Sequence, residues 1–227
     1  MHLEVLVEDA SGSIAAGILL EKILGPHGSP HSWRIHQYKG LGKLPRDLHK
    51  CPDVRKRILL ENLPRLLAGY GKALQCVDSA AVLVIVDSDR KDCIAFKAEL
   101  TDVLQGCTPA PRAIFRIAIE EMEAWLMGDR VAVEAAYPHA KRQVIDRYGQ
   151  DSVCGTWEVL ADAIHPGGSV SLKKQGYPII GQAKCNWACH IAPHMDIERN
   201  VSKSFLVFRD GVLELRDNLA SASEGLT

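Results

Sequence analysis

The chain has 227 residues, 47% hydrophobic and 24% charged, with a formal net charge of -1. That is ordinary globular composition, long enough to fold without a disulfide or zinc staple. Near-neutral charge excludes a global basic field for nucleic acid and leaves local patches as the alternative. No apolar run reaches the roughly 18 residues of a membrane span. The opening Met1-His2-Leu3-Glu4-Val5-Leu6-Val7-Glu8 has no basic region and no long apolar core, so no signal peptide is expected and a cytoplasmic protein is.

Leu3 to Glu8 reads as a short strand, because β-branched and apolar residues alternate along it. Asp9 to Ser13 is a turn, and Ile14 to Leu24 reads as a helix that stops at Gly25-Pro26. Ser32 to Tyr38 is a second strand, followed by a loop, Lys39-Gly40-Leu41-Gly42-Lys43-Leu44-Pro45. That loop lacks the spacing of a Walker A motif. It reads either as a plain surface loop or as one that contacts phosphate. Asp53 to Gln75 predicts a long amphipathic helix that Pro64 kinks or splits. Ala80 to Val86 is continuously apolar and β-branched, as in a central parallel strand covered on both faces. Asp92 to Leu104 predicts a helix, Arg112 to Ile119 a strand, and Glu120 to Leu126 the start of another helix.

This β-α alternation predicts an α/β fold, a mostly parallel sheet flanked by helices. From about Arg130 the chain reads as helical, with helices at Thr156 to Ile164, Gln182 to His190 and Ser202 to Asn218. A Gly/Pro/Lys-rich loop, Pro166 to Gly181, separates the first two. Its Lys173 and Lys174 read as solvated, with a nucleic-acid backbone as the alternative partner. Trp125 and Trp187 read as core residues. One domain is expected over 1–227, with a core at 1–130, a helical C-terminal extension at 131–219 and a frayed tail at 220–227.

The seven cysteines, Cys51, Cys76, Cys93, Cys107, Cys154, Cys185 and Cys189, are odd in number and form no CxxC pair. Reduced thiols are expected. Cys185, Cys189 and His190 suggest zinc, but they lack a clear fourth ligand.

The chemistry-bearing signal is acidic. Glu8 ends the first strand, Asp87 and Asp89 end the strongest one, and Glu121 and Glu123 follow the strand after it. All lie at carboxyl ends of strands in one parallel sheet, where open α/β sheets bind ligands. Residues two apart in extended chain project to one side, so Asp87 and Asp89 are expected to aim at one ion. Taken alone, each has a plainer reading: Asp87 or Asp89 as the N-cap of the next helix, Glu8 as a solvated strand end. Converging carboxylates repel, and a divalent cation resolves the repulsion. Magnesium suits oxygen ligands and keeps waters that phosphate can displace, with manganese as a substitute.

Leu6-Val7-Glu8 and Val84-Ile85-Val86-Asp87-Ser88-Asp89 resemble the strand ends of the Toprim domain, found in topoisomerases, primases and overcoming-lysogenization-defect (OLD) nucleases. Ile119-Glu120-Glu121-Met122-Glu123-Ala124-Trp125-Leu126, Lys184-Cys185-Asn186-Trp187-Ala188 and Asn200-Val201-Ser202-Lys203-Ser204-Phe205 are similar to a small stand-alone Toprim-like family of unknown function. The resemblance spans most of the chain. It implies a Toprim/Rossmann-like sheet, acid/base work or metal ligation by Glu8, and metal ligation by Asp87, Asp89 and Glu123. Lys184, which opens a helix, is expected to be a functional cation at the site. The resemblance also implies magnesium-dependent cleavage of DNA or RNA, in a phage-defence module that works beside an ATPase partner. The contrasting expectation is a non-catalytic nucleic-acid-binding or regulatory partner of that ATPase. One departure is visible: Asp9 stands where the Toprim glutamate is commonly followed by glycine, so either Gly12 supplies the close approach or the first loop binds something different.

Overall fold

The computed structural model describes residues 1–45, 47, 53–152 and 154–224. β1 (His2–Val7) leads through α1 (Ala10–Leu24) to β2 (Ser32–Gln37), and α2 (Leu59–Ala73) leads to β3 (Ala80–Asp87). α3 (Cys93–Gln105) then connects to β4 (Ala113–Ala118). Seven helices follow: α4 (Glu123–Met127), α5 (Arg130–Ala136), α6 (Arg142–Arg147), α7 (Thr156–Ile164), α8 (Gly168–Gln175), α9 (Tyr177–Ile191) and α10 (Lys203–Glu224). The four strands form one sheet in the order β2-β1-β3-β4, with every neighbouring pair parallel. The fold is therefore α/β, a parallel sheet flanked by helices with a helical C-terminal part, as the alternation of elements predicts.

Strand alternation divides the core into two layers. Leu3, Val5, Val7, Leu83 and Ile85 join α1, α9 and α10 on one face, together with Trp125, Trp187, Phe205 and Phe208. Leu6, Val82, Val84 and Val86 join α2 and α3 on the other, through Leu59, Leu63, Leu67, Phe96 and Leu100. Both faces of β3 are thus covered, which is why its sequence is an unbroken apolar run. The C-terminal helices share a core with β1 and β3. Trp125 and Trp187 are buried, as their helical setting predicts.

Three expectations need correction. The helix expected from Asp53 begins at Leu59; a 3-10 turn spans Val54–Lys56, and Arg57, at φ 52, breaks the path between them. The loop expected over 166–181 contains α8 and the first turns of α9. Its glycines mark helix ends: Gly167, Gly168 and Gly176 have φ of 79, 62 and 91. Pro178 sits in the first turn of α9, where its missing N–H leaves no bond unmade. Lys173 and Lys174 therefore lie on a helix, and Lys173 pairs with Glu158 at 3.1 Å. Finally, α10 runs on to Glu224, through most of the expected tail. Residues 225–227 and Cys51 lie outside the described residues. The six described cysteines are free thiols. No helix among the described residues is long and apolar enough to cross a membrane.

Candidate metal centre

The strand order creates the site. From β1 the chain steps to β2 on one side, then crosses to β3 on the other, so the connections leave opposite faces of the sheet. The carboxyl ends of β1 and β3 flank the crevice at this switch point, where parallel sheets bind ligands. Val7 pairs with Ile85, so Glu8, just past β1, and Asp87, the last residue of β3, meet there. The Asp87 amide donates to Glu8 Oε2 at 3.4 Å.

Local structure holds Glu8 in place from both sides. The Gly40 amide donates to the Glu8 carbonyl at 3.0 Å, so the Lys39–Leu44 loop lies against the rim, with Lys39 and Lys43 exposed. Asp9 caps α1, accepting from the Gly12 amide at 2.7 Å and from the Ser11 hydroxyl. A Cβ on Gly12 would stand 2.8 Å from Val7 Cγ1. Gly12 therefore supplies the close approach that the strand-to-helix turn requires.

Asp89 departs from the expected alternation. It has φ 49 and is exposed, and its amide donates to the Glu120 carbonyl at 2.9 Å. The extended path ends at Asp87, so Asp87 and Asp89 do not lie two apart on one strand face. Neither caps α3; Asp92 does, accepting from the Ala95 amide at 2.8 Å.

Beyond β4, Glu120 also takes a left-handed conformation, φ 64. Its amide donates to Ser88 Oγ at 2.7 Å, and its buried carboxylate accepts from the amides of Gly155 and Thr156. Glu121 and Glu123 meet Lys184 of α9. The ammonium lies 3.0 Å from Glu123 Oε2 and 3.4 Å from Glu121 Oε2. The Glu123 contact is an ion pair by distance but lacks hydrogen-bond geometry, which leaves this buried oxygen without a hydrogen bond. The C-terminal motif buttresses this group. Trp125 Nε1 donates to Ser204 Oγ at 2.9 Å, Asn200 Nδ2 donates to the Trp125 carbonyl at 2.8 Å, and Trp125 stacks on Phe208. Asn200 and Ser204 thereby fasten α4, which carries Glu123.

Electrostatics follow from crowding. Burial pushes Glu8 up to about 7, with Asp9 and Asp89 adding to the effect and the Asp87 amide opposing it. Burial and then Glu8 push Asp87 well above the usual carboxylate range, against the pull of Lys184. Burial raises Glu121 to about 8, helped by Glu123 and opposed by Lys184. Burial disfavours the Lys184 ammonium, but Glu123, Glu121, Asp87 and Asp9 together hold its pKa well above that of an ordinary lysine. Near neutral pH Lys184 therefore stays charged and Glu121 keeps most of its proton.

The sign of the resulting pH dependence is fixed. Between the unfolded value of 4.5 and the folded values near 7 and 8, the native state binds more protons than the unfolded chain. In metal-free buffer stability therefore falls as pH rises from about 5 to about 8, by a few kcal/mol. Scanning calorimetry in EDTA checks this. A melting temperature that rises across that window contradicts it.

The structure thus brings together Glu8 and Asp87, places Asp89 exposed on the adjoining loop, and engages Glu123 with Lys184. Among the described residues no three His, Cys, Asp or Glu side chains stand ready around one point. Magnesium needs only one or two carboxylates, with water completing its shell. Two hard oxygen donors, each disfavoured as a bare anion by burial, fit such an ion. Glu121 was noticed among the acids, but its link to Lys184 was not legible in sequence because 63 residues separate the two. Glu120, as the clamp on Gly155 and Thr156, gave no sequence signal beyond its place in an acidic run.

A family model described as a domain of unknown function (DUF4276) matches residues 7–213. No curated protein and no solved structure matches the chain. The match runs from the end of β1 into α10 and takes in Glu8, Asp87, Glu123 and Lys184, and the chain belongs to the DUF4276 family.

Proposed function

We propose that this protein is a divalent-metal-dependent phosphoryl-transfer enzyme of the Toprim type, a nuclease acting on DNA or RNA. The observation that carries the reading is the meeting of Glu8 and Asp87 across the β1/β3 crevice, with the Asp87 amide on the Glu8 carboxylate. Glu8 and Asp87 would hold the magnesium ion, with Asp89 on the exposed loop that follows. A divalent ion held there would supply Lewis-acid chemistry, polarising a phosphoryl oxygen and making a bound water more acidic. Glu8 orients the attacking water and accepts its proton. Lys184, held charged by its acidic neighbours, faces the negative charge that grows on the phosphoryl oxygens. Glu123 and Glu121 position Lys184. The ATPase implied by the Toprim resemblance enters as a regulator of this activity.

Incubation of the purified chain with supercoiled plasmid, or with RNA, in magnesium or manganese is expected to give cleavage that EDTA stops. Glu8→Ala and Asp87→Ala are expected to abolish it. Cleavage undiminished in both variants would remove this site from the mechanism. Silence of the isolated chain, relieved on adding an ATPase partner, is the result expected if the nuclease works under such a partner's control.

A further inference from the structure

A cavity of about 500 Å³ opens beside Asp89 and Glu121. Arg90, Lys91 and Trp157 line it together with these two acids, Glu120 and Glu158. Trp157 is half-buried in the first turn of α7; part of it packs against the core, and part faces this cavity. Lys173 lies 5.5 Å from the ring centroid and is itself tied to Glu158. Arg90 is exposed on the loop that follows Asp89.

The tryptophan is mechanically linked to the acid rim. Glu120 bonds the amides of Gly155 and Thr156, immediately before Trp157. The same residue takes the Asp89 amide on its carbonyl and gives its own amide to Ser88. Glu120 therefore joins the Asp87-Ser88-Asp89 segment to the start of α7. It does so in a left-handed conformation, φ 64, while Asp89 has φ 49 and Gly155 φ 99. Conformations of this kind persist for non-glycine residues where surrounding bonds impose them, and they gather at functional sites. Their effect here is to hold the tryptophan ring at a fixed place in the cavity that Asp89 and Glu121 also line.

We propose that Trp157 is a stacking platform for an unpaired nucleobase, and that the site accepts single-stranded nucleic acid, with Arg90 and Lys173 meeting the flanking phosphates. The proposal rests on the nuclease reading and names its substrate class. An aromatic face in a cavity binds any base through its π-surface, but a base inside a duplex is already stacked on both sides and cannot reach it. Lys173, over the ring at 5.5 Å from its centroid, and Arg90, on the cavity wall, are exposed cations that supply backbone contacts without a basic surface overall.

Fluorescence anisotropy tests this with short labelled oligothymidylate, oligouridylate and a hairpin duplex, in calcium and in EDTA. The wild-type chain is expected to bind the single strands more tightly than the duplex, and the two single strands separate DNA from RNA. Trp157→Leu, which keeps apolar packing and loses the π-face, is expected to weaken single-strand binding about 5- to 100-fold, the range of one base–aromatic stack. Trp157→Phe is expected to stay within about threefold of wild type, because it keeps a π-face. Trp157→Leu binding equal to wild type, or a duplex bound as tightly as the single strands, overturns the platform and leaves the nuclease reading intact. Failure of the wild-type chain to bind any of the three overturns both.

Discussion

Asp87→Asn is expected to move stability and activity in opposite directions. Burial and the neighbouring Glu8 raise the energy of the Asp87 carboxylate, so its charge opposes folding when no metal is present. Asparagine keeps the shape and discards that charge. In EDTA at pH 8 the variant is expected to be more stable than the parent by about 1–3 kcal/mol, read by denaturant titration. At pH 5 the gain is expected to shrink, because the parent then keeps more of its protons. Cleavage in magnesium is expected to fall about 100- to 1,000-fold, because an amide is a poor partner for a hard divalent ion. Most core and capping positions lose stability when altered. A variant that gains stability while losing metal-dependent chemistry identifies a carboxylate held for function. A variant that loses both assigns Asp87 a structural role.

Lys184→Met is expected to be the most destabilising single change at the rim. The ammonium is the cation shared by Glu123 and Glu121, and the Glu123 side chain is only 1% exposed. Methionine keeps the aliphatic stem but leaves Glu123 as a buried, unpaired charge. Breaking such a pair by removing one partner costs about 3–5 kcal/mol. The loss is expected to be greatest above pH 8, where Glu121 gives up its proton, and smaller at pH 5. Adding Glu123→Gln is expected to restore much of the stability, since it removes the orphaned charge. The double variant is still expected to be inactive, because the proposed mechanism needs the Lys184 charge at the phosphoryl group. Equal stability of the single and double variants would show that the ion pair is not the relevant interaction.

The sheet and its two central strands were legible because their signals are local. The apolar run before Asp87 marks a doubly covered strand, and the acids after each strand follow from parallel topology. The meeting of Glu8 with Asp87 follows from the same reasoning, since any acid at the ends of neighbouring strands falls in one crevice. The aim of Asp89 was not legible. A left-handed residue after Ser88 is imposed by bonds to Glu120, which lies 31 positions downstream. The pairing of Lys184 with Glu121 and Glu123 depends on how α9 packs against α1 and α4, which no local pattern encodes. The Pro166–Gly181 segment misled for a different reason. Glycine and proline mark helix ends as well as loops, and here they bound the short α8 and the start of α9.

Manganese located by its anomalous scattering in crystals of the wild-type chain and of Glu8→Gln tests the central claim most directly. The account predicts an ion within about 2.3 Å of carboxylate oxygens from both Glu8 and Asp87, with its occupancy lost in the variant. Manganese absent from the β1/β3 crevice, or bound there equally well without the Glu8 carboxylate, would contradict it.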